Sequence, residues 1–176
     1  MSLSPTQVEY CPGCGAVYPA LDGPVHAYMH SSPACFAAFN TLLTAEYSGY
    51  DDHALRNVHR LTVDTWAVQH PGSPTDRRAV QSVGLHLARL WLQLEHPRPP
   101  AHTNAVMLDF SRHKATLPPL TPPTAFRITV ADVAPDAGSP QHAAKVRAWA
   151  EATWHDWAAH HAFIRQWVAD HSSLAR

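Results

Sequence analysis

Cysteine is scarce in this chain, with only three among 176 residues. All of them, Cys11, Cys14 and Cys35, fall in the first 35 positions. An odd count cannot pair completely within the chain, and it excludes the dense disulfide framework of a small secreted domain. Charge is thin as well. Asp, Glu, Lys and Arg make up 15% of the chain and the formal net charge is −1. Such a composition offers neither the basic surface of a nucleic-acid binder nor an acidic tail. Long hydrophobic runs are missing. The most apolar stretch, Val83–Leu94, is too short for a membrane span and is interrupted by His86 and Arg89. The opening MSLSPTQVEY is polar, so no signal peptide is expected. Together with the cysteine usage this leads us to expect a reducing, cytoplasmic setting with no nucleic-acid or membrane partner. A small-molecule or protein ligand and an oligomeric state stay open.

Three residue types are abundant instead: histidine with 14, proline with 16 and tryptophan with six. The prolines punctuate the chain. Ser32-Pro33, Ser73-Pro74 and Ser139-Pro140 each place a serine before a proline, the pattern of an N-cap followed by the first helical residue. With these starts, and with Pro71-Gly72 and Pro97 as stops, the pattern predicts helices at about 33–47, 52–70, 74–95, 103–114 and 140–170. The segment TLPPLTPPTAFRITVADVAPDAGSP reads as extended, with a short β-like piece at Arg127–Val130. The expected fold class is mainly α: one domain over residues 1–176, in which an N-terminal zinc knuckle (9–35) packs on a bundle of about five helices (33–171).

Cys11-Pro-Gly-Cys14-Gly gives two thiols the spacing that grips one metal ion, and Cys35 follows after 20 residues. Glycines 13 and 15 allow a tight wrap. Cys35 would sit at the N-terminal end of the helix capped by Ser32, where a thiolate is favoured over a thiol. CPGCG is a poor core segment, and no thioredoxin-like strand–helix context surrounds it. These features point to a structural Zn2+ held by Cys11, Cys14, Cys35 and a fourth ligand. His26, in the loop after Gly23-Pro24, is preferred for that place, with His30 in reserve.

The remaining histidines lie on helical stripes. In the second helix Leu55, His59, Thr62, Val63 and Trp66 share a face, to which His70 returns. His59 and His70 are roughly 16 Å apart along a straight helix and cannot share a metal. His86 edges the apolar face of the third helix, with Gln81 on the opposite edge and Gly84 as a place where another helix could approach. In the last helix His160 sits among Val146, Trp149, Thr153, Trp157, Ile164 and Trp167, and Asp156 one turn earlier could orient it. Two readings follow. One is a second divalent metal on His70, His86 and His160, with His161 in reserve and His59 or Asp64 as base or supporting group. The other treats each as a hydrogen-bonded core or interface histidine. The tryptophans read as core.

The strings CPGCG, DGPVHAYMHSSPACF, VHRLTVDTWAVQHPG, QSVGLHLARL, LTPPTAFRITVADV and the late His160-His161 pair, taken together, resemble a bacterial family catalogued as domain of unknown function 5946, over about Cys11 to Ile164. The resemblance implies functional weight at Cys11, Cys14, His26, Cys35, His59, Asp64, His70, Gln81, His86, His160 and His161. It favours His26 over His30, gives no weight to Asp156, and supplies no reaction. The functional expectation is a zinc-binding protein whose second, histidine-lined site does hydrolytic or transfer chemistry. The alternative is a non-enzymatic, zinc-stabilised binding or regulatory module.

Overall fold

A computed structural model describes residues 7–48, 53–97 and 99–171. Two short strands, β1 (Val8–Tyr10) and β2 (Val17–Pro19), pair antiparallel with Tyr10 opposite Val17. The CPGCG turn is the tip of this hairpin. The long helices follow: α1 (Pro33–Ser48), α2 (His53–Gln69), α3 (Arg77–Glu95) and α4 (Pro100–His113). A short α5 (Val130–Val133) precedes α6 (His142–Asp156) and α7 (His161–His171). The chain is thus mainly helical, with a small hairpin at its N-terminus. No helix among the described residues is long and apolar enough to cross a membrane.

Helix α2 is the centre of the packing and touches α1, α3 and α6. Its C-terminal half is buried apart from part-exposed Val63, and polar groups are buried there: Thr62, Asp64, Thr65 and Gln69, with His70 just past the helix end, are all at 0% exposure. Such groups need partners wherever water is excluded. Gln69 Nε2 donates to the Ile128 carbonyl (2.7 Å) and to Thr153 Oγ1 of α6 (2.8 Å). Asp64 accepts from His86 Nδ1 at 2.6 Å, from Arg89 Nε and from Gln93 Nε2 at 2.6 Å, all on α3. Aromatic packing completes the frame. Trp66 is sandwiched between Phe39 of α1 and the His70 ring, at centroid distances of 4.3 and 4.2 Å. Trp149 and Trp157 are buried, as expected of core tryptophans. Glu95 gathers the indole N–H groups of Trp91 and Trp154 and the Arg165 guanidinium.

Several boundaries differ from the sequence reading. Ser32 caps α1 as expected, its Oγ accepting from Cys35 N at 3.2 Å. Ser73 does not cap α3. It turns onto Thr75, and Asp76 takes the N-cap by accepting from Arg78 N at 2.8 Å. Ser139 lies one turn before the start of α6 at His142. The β-like piece at Arg127–Val130 is instead the entry to α5. Thr129 and Asp132 form a reciprocal capping box there. The long last helix is broken by a 3-10 turn at Ala158–His160. A side chain makes the break tolerable: His161 Nε2 donates to the Trp154 carbonyl at 2.8 Å while its ring stacks on Trp154 at 3.7 Å. Gly84 receives Leu117 from the segment after α4 rather than a helix; an added Cβ would lie 2.8 Å from the leucine methyls. Residue 52, the expected start of α2, and the side chain of Leu55 lie outside the described residues.

Burial alone would push the Asp64 carboxyl up. The Arg89 charge and the His86 hydrogen bond outweigh it and hold the group below the ordinary carboxylate range. Unfolded Asp64 therefore takes up its proton at a higher pH than folded Asp64. Its contribution is present above the unfolded value and is lost as pH falls through the folded one. Replacing Asp64 by Ala leaves the part-buried Arg89 without its counter-ion and is expected to cost about 3 kcal/mol, the low end for a buried pair. Urea denaturation at several pH values checks both points: a lower midpoint at neutral pH and a shallower loss of stability toward acid.

Candidate metal centre

The hairpin and the N-terminus of α1 bring three sulfurs to the C-terminal end of α2. Within the hairpin, Cys11 N donates to the Ala16 carbonyl (2.8 Å) and Gly15 N to the Cys11 carbonyl (2.9 Å), with Gly15 at a φ of +78°. Glycine adopts that backbone without a steric penalty. Glu9, on the inner face of β1, accepts from Ala34 N at 3.2 Å and so fastens the hairpin to the first turn of α1. A carboxylate is favoured there because the first helical N–H groups lack intrahelical partners. Gly13 runs hard against the end of α2. An added Cβ would lie 2.6 Å from His70 Cδ2 and 2.9 Å from the Gln69 carbonyl oxygen, and closer still to the His30 carbonyl.

Cys11, Cys14, Cys35 and His70 are all buried, and one donor atom from each lies within 4.8 Å of the others. Cys14 Sγ and Cys35 Sγ are 3.7 Å apart, and Cys35 Sγ lies 3.2 Å from His70 Nε2. No disulfide joins the cysteines. The other ring nitrogen of His70 sits 2.6 Å from the Trp66 carbonyl. A carbonyl only accepts, so Nδ1 carries the proton and Nε2 turns a bare lone pair toward the sulfurs. Three thiols packed this closely cannot all ionise by themselves. Hydrogen bonds from Cys14 and Cys35 pull Cys11 far down, whereas the contact with Cys11 pushes Cys14 up to about 12 and Cys35 higher still. A divalent cation would remove the competition by stabilising every thiolate at once.

The fourth donor in this group is thus His70, where the sequence had favoured His26. His26 is part-buried on the loop before α1, with its ring edge-on to Trp66 at 6.0 Å and to Tyr28 at 4.6 Å. Burial, then the imidazoles of His86 and His70, lower its proton affinity. His30 is exposed. His70 was overlooked as a partner of the cysteines because 34 residues separate it from Cys35. Only the packing of α2 against the hairpin brings it there.

The other candidates go elsewhere. His70, His86 and His160 do not converge: His86 is bound to Asp64, and His160 Nε2 donates to the Thr121 carbonyl at 2.9 Å. Asp156 does not orient His160. It accepts from Arg127 Nε at 2.7 Å. His161 stacks on Trp154. His59 Nδ1 lies 3.0 Å from Glu46, which also accepts from Thr62 and from His142 Nε2 (3.0 Å). This second cluster was missed, although Glu46 is the one charged residue of α1 and could have marked it. It is not a metal-ligating arrangement. His142 Nδ1 accepts from Gly138 N at 2.8 Å, so its Nε2 carries the proton and is a donor to Glu46. Among the described residues, no second group of three His, Cys, Asp or Glu donors gathers as closely as the cysteine–histidine cluster.

Fold and site together define a mainly helical protein with a buried cluster of three cysteines and one histidine able to hold a metal ion. Residues 9–158 match a family of unknown function, DUF5946, and the chain belongs to that family. No curated protein and no solved structure matches the chain.

Gly13→Ala is the sharpest probe of how the hairpin seats. It is expected to lower the melting temperature and open the Cys11–Gly15 turn to limited proteolysis. Gly23→Ala, whose added Cβ would meet only Pro33 at 3.7 Å, serves as the silent control.

Proposed function

We propose that the chain is a zinc-stabilised, non-enzymatic helical module of the cytoplasm, with Zn2+ held by Cys11, Cys14, Cys35 and His70. One observation carries this reading. Zinc with Zn–S bonds of about 2.3 Å sets tetrahedral sulfurs about 3.8 Å apart, and a sulfur and an imidazole nitrogen about 3.5 Å apart. The corresponding separations here are 3.7 and 3.2 Å. Thiolate and imidazole are the donors zinc prefers, and a Trp66 carbonyl on the far nitrogen is the usual way such a histidine is oriented. Four protein donors leave no coordination position for water or substrate, which supports a structural role. The metal would then fasten the hairpin to the end of α2 and to the start of α1 at once. A catalytic second metal on His70, His86 and His160 lacks this support, since the three do not gather into one group of donors among the described residues. The near-neutral charge favours a protein or small-molecule partner over nucleic acid.

Protein purified from zinc-containing medium is expected to hold a single zinc per chain by elemental analysis. His70→Ala should lose it, His70→Cys should retain it, and His26→Ala should retain it. Retention by His70→Ala, or loss from His26→Ala, would overturn the ligand set. Chelation should lower the melting temperature by roughly 10 °C or more, as expected when several kcal/mol of native-state stabilisation is removed. Acidification should release the metal as thiolates and imidazole take up protons.

A further inference from the structure

A cavity of about 330 Å3 opens over the tip of the hairpin, between CPGCG and the proline-rich segment before α5. Its walls include Cys11, Cys14, Thr124, Phe126 and Thr129, but neither Cys35 nor His70. The cysteine–histidine cluster thus has an outer side that faces this cavity and an inner side that faces the bundle. Cys11 and Cys14 belong to both, and Cys14 is the one with a measured approach to Cys35. Cys14 lines the cavity, and its sulfur is 3.7 Å from Cys35 Sγ. A small oxidant in the cavity meets Cys11 and Cys14 before Cys35, and Cys14 has the Cys35 thiol already beside it.

The geometry points to Cys14 as a peroxide-sensitive site, with Cys35 as its resolving partner, so that hydroperoxides release the metal and unfasten the hairpin. This rests on the zinc reading above. The chemistry balances with hydrogen peroxide as the only co-reactant. The Cys14 thiolate attacks one peroxide oxygen, the O–O bond breaks, and hydroxide leaves, giving a sulfenic acid. The Cys35 thiolate then attacks that sulfur; an S–S bond forms and a second hydroxide leaves. Two thiolates lose two electrons and the peroxide gains them. The metal keeps Cys11 and His70 alone, half of a four-donor site. A dithiol reductant with added zinc reverses the sequence.

The loss of zinc also releases the links that depend on it. Cys35 belongs to the first turn of α1 and His70 to the end of α2, whereas Cys11 and Cys14 belong to the hairpin. A Cys14–Cys35 disulfide would leave the hairpin tied to α1 but free of α2. The switch would then act on one seam, between the hairpin and the α2–α3 turn. Gly13 packs tightly on one side of that seam, and Gly72 packs against the Tyr28 carbonyl on the other.

The test uses zinc-loaded wild-type protein treated with hydrogen peroxide. Zinc release is followed with a chromogenic chelator, and disulfides are mapped by mass spectrometry of a non-reducing digest. The expected result is release of the bound zinc together with a Cys14–Cys35 linkage, both reversed by dithiothreitol and zinc. Because Cys14→Ser could fail to fold, the exposed cavity residue Thr124 supplies the second variant. Thr124→Trp fills the entrance and should slow release several-fold while leaving zinc content unchanged. Zinc retained through peroxide treatment, a Cys11–Cys14 linkage in place of Cys14–Cys35, or an unchanged rate in Thr124→Trp would overturn the switch while the zinc site stands. Protein that holds no zinc before oxidant is added would overturn the zinc reading itself.

Discussion

The structure depends on one helix whose C-terminal half is almost wholly buried while carrying polar groups. The C-terminal half of α2 shows water little more than Val63, yet Thr62, Asp64 and Gln69 lie there and His70 follows directly. An unpartnered polar group in such a place costs on the order of 1–3 kcal/mol, and a charged one more. Each neighbour of α2 therefore answers a particular side chain. From α1, Glu46 meets Thr62. From α3, His86, Arg89 and Gln93 surround Asp64. From α6 and the segment before α5, Thr153 and the Ile128 carbonyl take Gln69. From the N-terminal hairpin, the three cysteines take His70. Apolar contacts would hold these helices together in many registers. The polar pairs select one, since sliding any neighbour by a residue strands a buried donor or acceptor.

The position of the cysteine cluster follows from that arrangement. A helix end leaves carbonyls without partners, and α2 closes its own by turning His70 back onto the Trp66 carbonyl four residues earlier. The same bond fixes the ring and aims Nε2 out of the helix end. The hairpin can approach that end because Gly13 has no side chain there and because Gly72, just beyond it, lets the Tyr28 carbonyl come close. The cluster sits where three separate chain segments must be joined at one point. A metal ion held there would do this with fewer residues than a hydrophobic contact of equal strength.

Much of the fold was legible in the chain. The Ser32 cap, the Pro71-Gly72 stop and the apolar stripes of α2 and α3 set those helices within a few residues, because caps and periodicity are local properties. The break after Asp156 was not legible: the sequence around Trp157 has neither proline nor glycine, and the break depends on His161 satisfying a carbonyl seven residues back. The capping box at Thr129 and Asp132 was readable and was outweighed by the prolines around it. At the site, the three cysteines were legible from spacing alone. The histidine was not, since its place is set by how α2 packs, and nearby His26 offered a shorter path along the chain. Glu46 shows the same limit. As a lone charge in an otherwise uncharged helix it was visible, but what would meet it depended on His142, 96 residues away.

A high histidine count is a poor guide to metal sites because an imidazole offers a lone pair on only one nitrogen, and the bond made by the other decides which. His142 accepts a backbone N–H on Nδ1, which commits Nε2 to donating. His160 and His161 each give Nε2–H to a carbonyl. His86 gives its Nδ1–H to Asp64. His70 alone among these has its proton held by a carbonyl on one side and three sulfurs on the other. His86 and His160, two of the three that helical spacing offered as a second centre, are hydrogen-bond donors that serve the frame. The one that faces the cysteines can offer them a lone pair because its Nδ1–H is already spent closing a helix.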